Sequence, residues 1–123
     1  MDFRDIVLLT VYTGEEVLVN DEPFYKAFVK KAAELGLAGA TVMKGITGFA
    51  AKRRCMNNNL SGFFSGKVDA PLVMQIADSR EKIDLILPYL EKNAKHSFVT
   101  ITPCQVLITD YLREKAAKAG VKI

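Results

Sequence analysis

The run Ile6-Val7-Leu8-Leu9-Thr10-Val11-Tyr12 constrains this chain more than any other stretch of it. It is short, aliphatic and rich in β-branched residues, which predicts a strand rather than a helix. Alternate side chains of a strand point to opposite faces. Ile6, Leu8 and Tyr12 therefore share one face and Val7, Leu9 and Val11 the other, and both faces are apolar. A strand of an isolated two-layer domain has one wet face. The second apolar face here asks for cover from outside the chain, which points to a partner subunit.

The other periodicities supply what this strand packs against. Phe24, Phe28 and Leu35 recur at helical spacing, with Tyr25, Val29 and Ala32 beside them. Asn20-Asp21-Glu22-Pro23 reads as the start of that helix, with a capping side chain, acids at the positive dipole end and proline in the first turn. Gly36 stands just past its end, where a positive φ is needed. Gly39 to Lys44 reads as a second strand and Pro71 to Ala77 as a third, its proline at a first position that tolerates a missing N–H. Asp78-Ser79-Arg80-Glu81 fits a capping box with Asp78 as cap. Ile83, Ile86, Leu87 and Leu90 then give a second amphipathic helix, which Pro88 should kink or tighten in its last turn. Phe98 to Thr102 is the fourth strand, ended or bulged at Pro103, with extended structure resuming from Cys104 to Ile108.

The order β-α-β-β-α-β predicts an α+β, ferredoxin-like fold. It is a four-stranded antiparallel sheet with two helices on one face and a long loop between strands 2 and 3. Residues 1–109 make this domain. Residues 110–123 form a C-terminal helical tail, with Leu112, Ala116 and Ala119 on its inner side.

Charge is distributed unevenly. The chain carries a net +3, yet Lys44 to Val68 holds Lys44, Lys52, Arg53, Arg54 and Lys67 and no acid, leaving the remainder at −2. The same stretch contains Gly45, Gly48, Gly62 and Gly66, with Phe49, Phe63 and Phe64. A connection this long inside a compact domain is either functional or disordered. As a functional loop it would bind an anion or a partner: backbone N–H groups near Gly45 and Gly48 can approach phosphate or carboxylate oxygens while Lys44, Arg53 or Arg54 neutralises charge. The plainer alternative is a solvated hairpin extension. The glycine spacing fits neither a Walker A loop nor a dinucleotide fingerprint.

Catalysis finds little support. His96 is the single histidine, beside Ser97 in a turn, and no nucleophile has an evident base, so no catalytic residue is assigned and the chain reads as a non-enzyme. Cys55 and Cys104 lack CxxC spacing and are read as free thiols of a cytoplasmic protein, with no metal site inside one chain. The run from Ile6 to Tyr12 is too short to span a bilayer and no signal-peptide cleavage pattern is present, so no direct membrane insertion is expected. RNA-recognition domains share this element order but carry stacking aromatics on their third strand. Leu72-Val73-Met74-Gln75-Ile76 has none, so no nucleic acid is expected. An acylphosphatase-like enzyme would need an anion-gripping arginine where Thr13-Gly14-Glu15-Glu16 supplies acids.

Several blocks carry a family likeness. Tyr12-Thr13-Gly14-Glu15, Pro23-Phe24-Tyr25, Leu35 through Val42, Lys44-Gly45-Ile46-Thr47-Gly48-Phe49, Pro71 through Asp78 and Leu87-Pro88 resemble the small PII-like proteins long catalogued as a domain of unknown function. The likeness covers about residues 4–108. It implies a cytoplasmic homotrimer with sheets facing inward, and a signalling subunit that binds a small anionic effector in clefts between subunits. An adenine nucleotide is the candidate effector, and a protein client such as a membrane transporter, channel or enzyme would be controlled through the long loop. The likeness places Lys44, Gly45 and Gly48 at the loop base where such ligands sit, and with the loop's charge pattern the candidate ligand-binding residues are Lys44, Gly45, Thr47, Gly48, Lys52, Arg53, Arg54 and Lys95. Two departures stand out. The connection Asn93-Ala94-Lys95-His96-Ser97 has one lysine and no glycine, where nucleotide-binding PII proteins have a glycine-rich basic loop. No tyrosine lies between Lys44 and Val68, which argues against uridylylation-type control. A divalent-cation-binding protein of the cation-tolerance type, sharing the fold, is the alternative.

Overall fold

A computed structural model describes residues 1–49, 53–54 and 69–123, without the side chains of Phe49, Arg53 and Arg54. Its elements run β1 (Phe3–Gly14), β2 (Leu18–Val19), β3 (Glu22–Pro23), α1 (Phe24–Glu34), β4 (Thr41–Lys44), β5 (Gly48–Phe49), β6 (Arg53–Arg54), β7 (Pro71–Asp78), α2 (Arg80–Asn93), β8 (Phe98–Leu107) and α3 (Asp110–Lys118). The main sheet has four strands in the order β4-β7-β1-β8, every neighbouring pair antiparallel. Long side connections put the first and third core strands at the centre, which is the ferredoxin-like arrangement.

The central strand takes its place through register. Leu9 faces Ile76 on β7 and Ile101 on β8, and Val11 faces Met74 and Val99. That face is covered by both long helices: Leu9, Val11, Met74 and Ile76 pack with Phe24, Phe28 and Ala32 of α1 and Ile83, Ile86 and Leu90 of α2. The opposite face carries Ile6, Leu8, Thr10 and Tyr12 of β1, with Val73 and Met43 across from Tyr12 and beyond it. Tyr12, Met43 and Phe98 are 44%, 44% and 60% exposed there, and the Tyr12 and Phe98 rings meet edge to face at 6.4 Å. Ile6 and Leu8 are half-buried on this face and Thr10 is buried, so its exposure is concentrated at the Tyr12–Phe98 end.

Four local expectations change. Asn20 and Asp21 do not open α1: both adopt positive φ (50° and 64°) as the two-residue turn of the β2–β3 hairpin. The helix starts instead after Pro23, with no side-chain cap. At α2 the cap is Ser79, whose Oγ accepts from the Lys82 amide, not Asp78. Asp78 is engaged otherwise, its carboxylate accepting from the Ser79 amide at 2.7 Å and the Ala38 amide at 2.8 Å. Pro103 neither ends nor bulges β8, which runs through it opposite Val7. On an edge strand alternate N–H groups have no partner to lose, so proline is tolerated. In α3, Leu112 and Ala116 are half-buried but Ala119 is exposed.

Other expectations hold for stated reasons. Gly36 takes φ 75° and ends α1, its amide bonding to the Ala33 carbonyl. Pro88 lies inside α2, at an exposed position. The tail helix is held at its start by Thr109, whose Oγ1 accepts from the Leu112 amide, and by Arg113 reaching Asp2 at 3.7 Å. Cys104 is a free, half-buried thiol, whereas Cys55 lies outside the described residues.

Truncating Phe28, which is fully buried between α1 and the sheet, should cost about 3–5 kcal/mol of unfolding free energy in denaturant titration. Tyr89 offers a pH test. Its hydroxyl is buried with no hydrogen-bond partner among the described residues, and burial, then the negative charges of Glu22 and Glu34, pushes its pKa above the usual 10.0. The unfolded chain thus releases this proton first, and stability should fall as pH rises above about 10. Tyr89→Phe should flatten that alkaline limb while changing stability at neutral pH by less than about 1 kcal/mol.

Candidate functional site

The end of the sheet at which β1 terminates gathers most of the described chemistry. There the chain leaves β4 at Lys44 and returns at Pro71, and the two ends are fastened together. The Gly45 amide donates to the Pro71 carbonyl at 2.7 Å. A Cβ at Gly45 would stand 2.9 Å from Cγ of Pro71, so the close approach itself requires glycine. Gly48, at the start of the β5–β6 hairpin, keeps 3.8 Å from the same ring and has room for a methyl group.

Glu15, one residue beyond β1, is the second fastening. Its amide donates to the Ala70 carbonyl at 3.1 Å, and its carboxylate accepts from the Ala70 amide at 3.1 Å. The same Oε1 lies 3.1 Å from Lys44 Nζ. With both side chains partly exposed, this ion pair contributes at most about 1 kcal/mol. Its consequence is positional: one carboxylate joins the last residue of β4 to the segment that leads back into β7.

On the other side of β1 the α2–β8 turn is tied down by Ser97. Its Oγ lies 2.8 Å from Thr13 Oγ1 and 2.8 Å from the Lys95 carbonyl. With one proton to give, the hydroxyl donates to the carbonyl and accepts from Thr13. Thr13 is buried and Ser97 half-buried, so this polar pair is partly shielded from water. His96 adopts φ 54° in the turn, and Lys95 is exposed beside it.

The structure thus brings Lys44, Gly45, Thr47, Gly48 and Lys95 to one end of the sheet, flanking β1. Arg53 and Arg54 form the return strand of the small hairpin, paired with Phe49 and Gly48, but their side chains and Lys52 lie outside the described residues, as do Gly62, Phe63, Phe64, Gly66 and Lys67. Among the described residues no group of three or more His, Cys, Asp or Glu side chains could hold a metal ion. No helix among them is long and apolar enough to cross a membrane.

Sequence reading missed two features. Glu15 stood in the sequence only as one of two adjacent acids after the first strand, because nothing local signals a partner 55 residues away. The other is a cleft of about 570 Å³ between α1 and the edge strand β4, floored by Tyr25, Val29, Val42 and Leu72. Lys44 reaches its rim because it lies opposite Leu72 in register and so faces the helices. The available signal was Val29, an apolar residue on the flank of α1 that the core does not need.

Gly45→Ala should destabilise the chain by about 1–3 kcal/mol, since the proline ring can relieve the clash only by repuckering or by moving its backbone, whereas Gly48→Ala should be nearly neutral. Thermal or urea unfolding of the two variants compares them directly; equal midpoints would mean that the loop base is not fastened at Gly45.

The DUF190 family, described as Uncharacterized ACR, matches residues 6–106. A UPF0166 protein of Aquifex aeolicus is 31% identical over 100 residues, covering 81% of this chain and 91% of the relative. Another UPF0166 protein, from Methanocaldococcus jannaschii, is 30% identical over 102 residues, covering 80% and 89%. Among solved structures, one described as a PII-like signalling protein from Thermus thermophilus superposes with a TM-score of 0.61 at 16% identity, covering 96% of this chain and 98% of that one. CPII, a nitrogen regulatory PII-like protein from Thiomonas intermedia bound to ADP, AMP and bicarbonate, gives 0.56 at 16% identity, covering 86% and 97%. These likenesses agree with the sheet order and the two-helix layer seen here. The chain belongs to the DUF190 (UPF0166) family and has the ferredoxin-like fold of PII-like proteins.

Proposed function

We propose that this chain is the subunit of a cytoplasmic, homotrimeric PII-like regulator without chemistry of its own. It binds a small anionic effector in the clefts between subunits and signals through the loop between β4 and β7 to a protein client such as a transporter, channel or enzyme. The observation that carries this reading is the fastened loop base. Gly45, Pro71, Ala70, Glu15 and Lys44 tie both ends of the connection to the end of the central strand. A ligand that shifts any of these contacts re-aims everything beyond them.

The effector site consists of Lys44, Gly45, Thr47 and Gly48 at the loop base, Lys52, Arg53 and Arg54 later in the loop sequence, and Lys95 on the opposite side of β1. Its concentration of positive charge suits a nucleotide phosphate or a carboxylate. An adenine nucleotide is the first effector to try, because a structural neighbour of the same fold is described as bound to ADP and AMP. The open sheet face, with Tyr12, Met43 and Phe98 exposed on it, is the surface through which subunits associate.

The reading predicts saturable thermal stabilisation by at least one of ATP, ADP, AMP or bicarbonate, about 2.7 kcal/mol at a hundred times Kd. Replacing Lys52, Arg53 and Arg54 together by alanine should weaken that effect about tenfold or more while leaving the ligand-free midpoint in place. No stabilisation by any of the four, with the protein folded, would remove the effector from the proposal.

A further inference from the structure

We propose that the cleft between α1 and β4 is a second ligand site, contained within one subunit, for a compact apolar molecule carrying a single negative charge. It lies on the helix side of β4, shares only Lys44 with the effector site, and does not depend on that site being correct. Its volume, about 570 Å³, falls in the range of roughly 300–1,000 Å³ typical of small-molecule sites.

The apolar floor follows from how α1 divides its faces. Phe24, Phe28 and Ala32 are spent on the core, so Tyr25 and Val29 are left turned toward the sheet edge. Val42 and Leu72 meet them from β4 and β7, because register sends both of these residues to the helix side. Val29 remains 37% exposed in this setting, and an apolar ligand body would cover it.

The charges at the rim select the ligand's head group. Lys30 is paired with Glu22 at 2.8 Å, and Lys44 with Glu15 at 3.1 Å. Lys26 has no carboxylate partner among the described residues; its ammonium sits 6.0 Å from the Tyr25 ring centroid. The rim is therefore balanced except for one positive charge beside the aromatic wall. A carboxylate on an apolar body satisfies both, its oxygens on Lys26 and its body against Tyr25, Val29 and Val42. A polyphosphate would have to break one of the existing pairs to find a second cation.

The test is titration of the isotopically labelled full chain with 2-naphthoate, followed by amide NMR. Saturable shifts centred on Tyr25 to Lys30 and on Val42 are expected. Lys26→Met should weaken binding about tenfold, and the neutral 2-naphthamide should bind about tenfold more weakly than the acid. Val29→Glu should abolish binding, and neither exposed substitution should move the thermal midpoint. The alanine variant of Lys52, Arg53 and Arg54 should bind 2-naphthoate unchanged, which separates this cleft from the effector site. Absence of saturable shifts would overturn the proposal, as would shifts confined to Tyr12 and Phe98 on the open face. Equal binding by the acid and the amide, or by the wild type and Lys26→Met, would do so too.

Discussion

Everything in this fold hangs on the hydrogen bonding of β1 along both of its edges. From Val7 to Tyr12 each residue has a partner on β7 and another on β8, so the strand cannot shift without breaking two ladders at once. A slip of one residue would also send Leu9 and Val11 to the open face and Leu8 and Thr10 into the core. The strand's register therefore sets the position of both helices, through Leu9 and Val11, and of the candidate site at the end of the sheet, through Thr13 and Glu15. Thr13 holds the α2–β8 turn by its hydroxyl, and Glu15 holds the loop base by its carboxylate. Two connections distant in sequence are thus anchored two residues apart where a single strand ends.

How far this was legible in the sequence depended on the range of the signal. Gly36, the helical spacing of Phe24 and Phe28, and the doubly apolar run from Ile6 to Tyr12 are local patterns with local causes, and each corresponds to the element it suggested. Errors arose where one local pattern serves two structures. Asn20-Asp21 suits a helix start as well as a tight hairpin turn, and the pairing of Leu18 with Pro23 decides between them. Asp78 suits a cap, but the amide of Ala38 draws its carboxylate elsewhere and leaves the cap to Ser79. Pro103 breaks a strand only where its N–H is needed, and edge position is a property of the whole sheet.

The site divides the same way. Lys44, Gly45 and Gly48 stood out through the acid-free composition of their stretch, and the approach of Gly45 to Pro71 gives that glycine a steric reason. The Glu15 fastening and the cleft on α1 are invisible in sequence because each is made by segments that only the fold brings together. Both bear on what an effector would meet. Lys44 is not a bare cation waiting for a phosphate: it already balances Glu15, so an anion arriving there competes with a contact that also reaches Ala70. Under the proposed function, ligand affinity and loop position would be linked through that competition, at a cost small enough for a small molecule to offset.

Tyr12, Met43 and Phe98 stay exposed on the open face, and the proposed effector clefts exist only if other copies of this chain cover it. Mass in solution tests this most directly. Light scattering coupled to size exclusion should give three times the 13.6 kDa of the chain, with no concentration-dependent fall in the working range. A monodisperse 13.6 kDa species, folded and soluble with Tyr12 and Phe98 facing water, would contradict it.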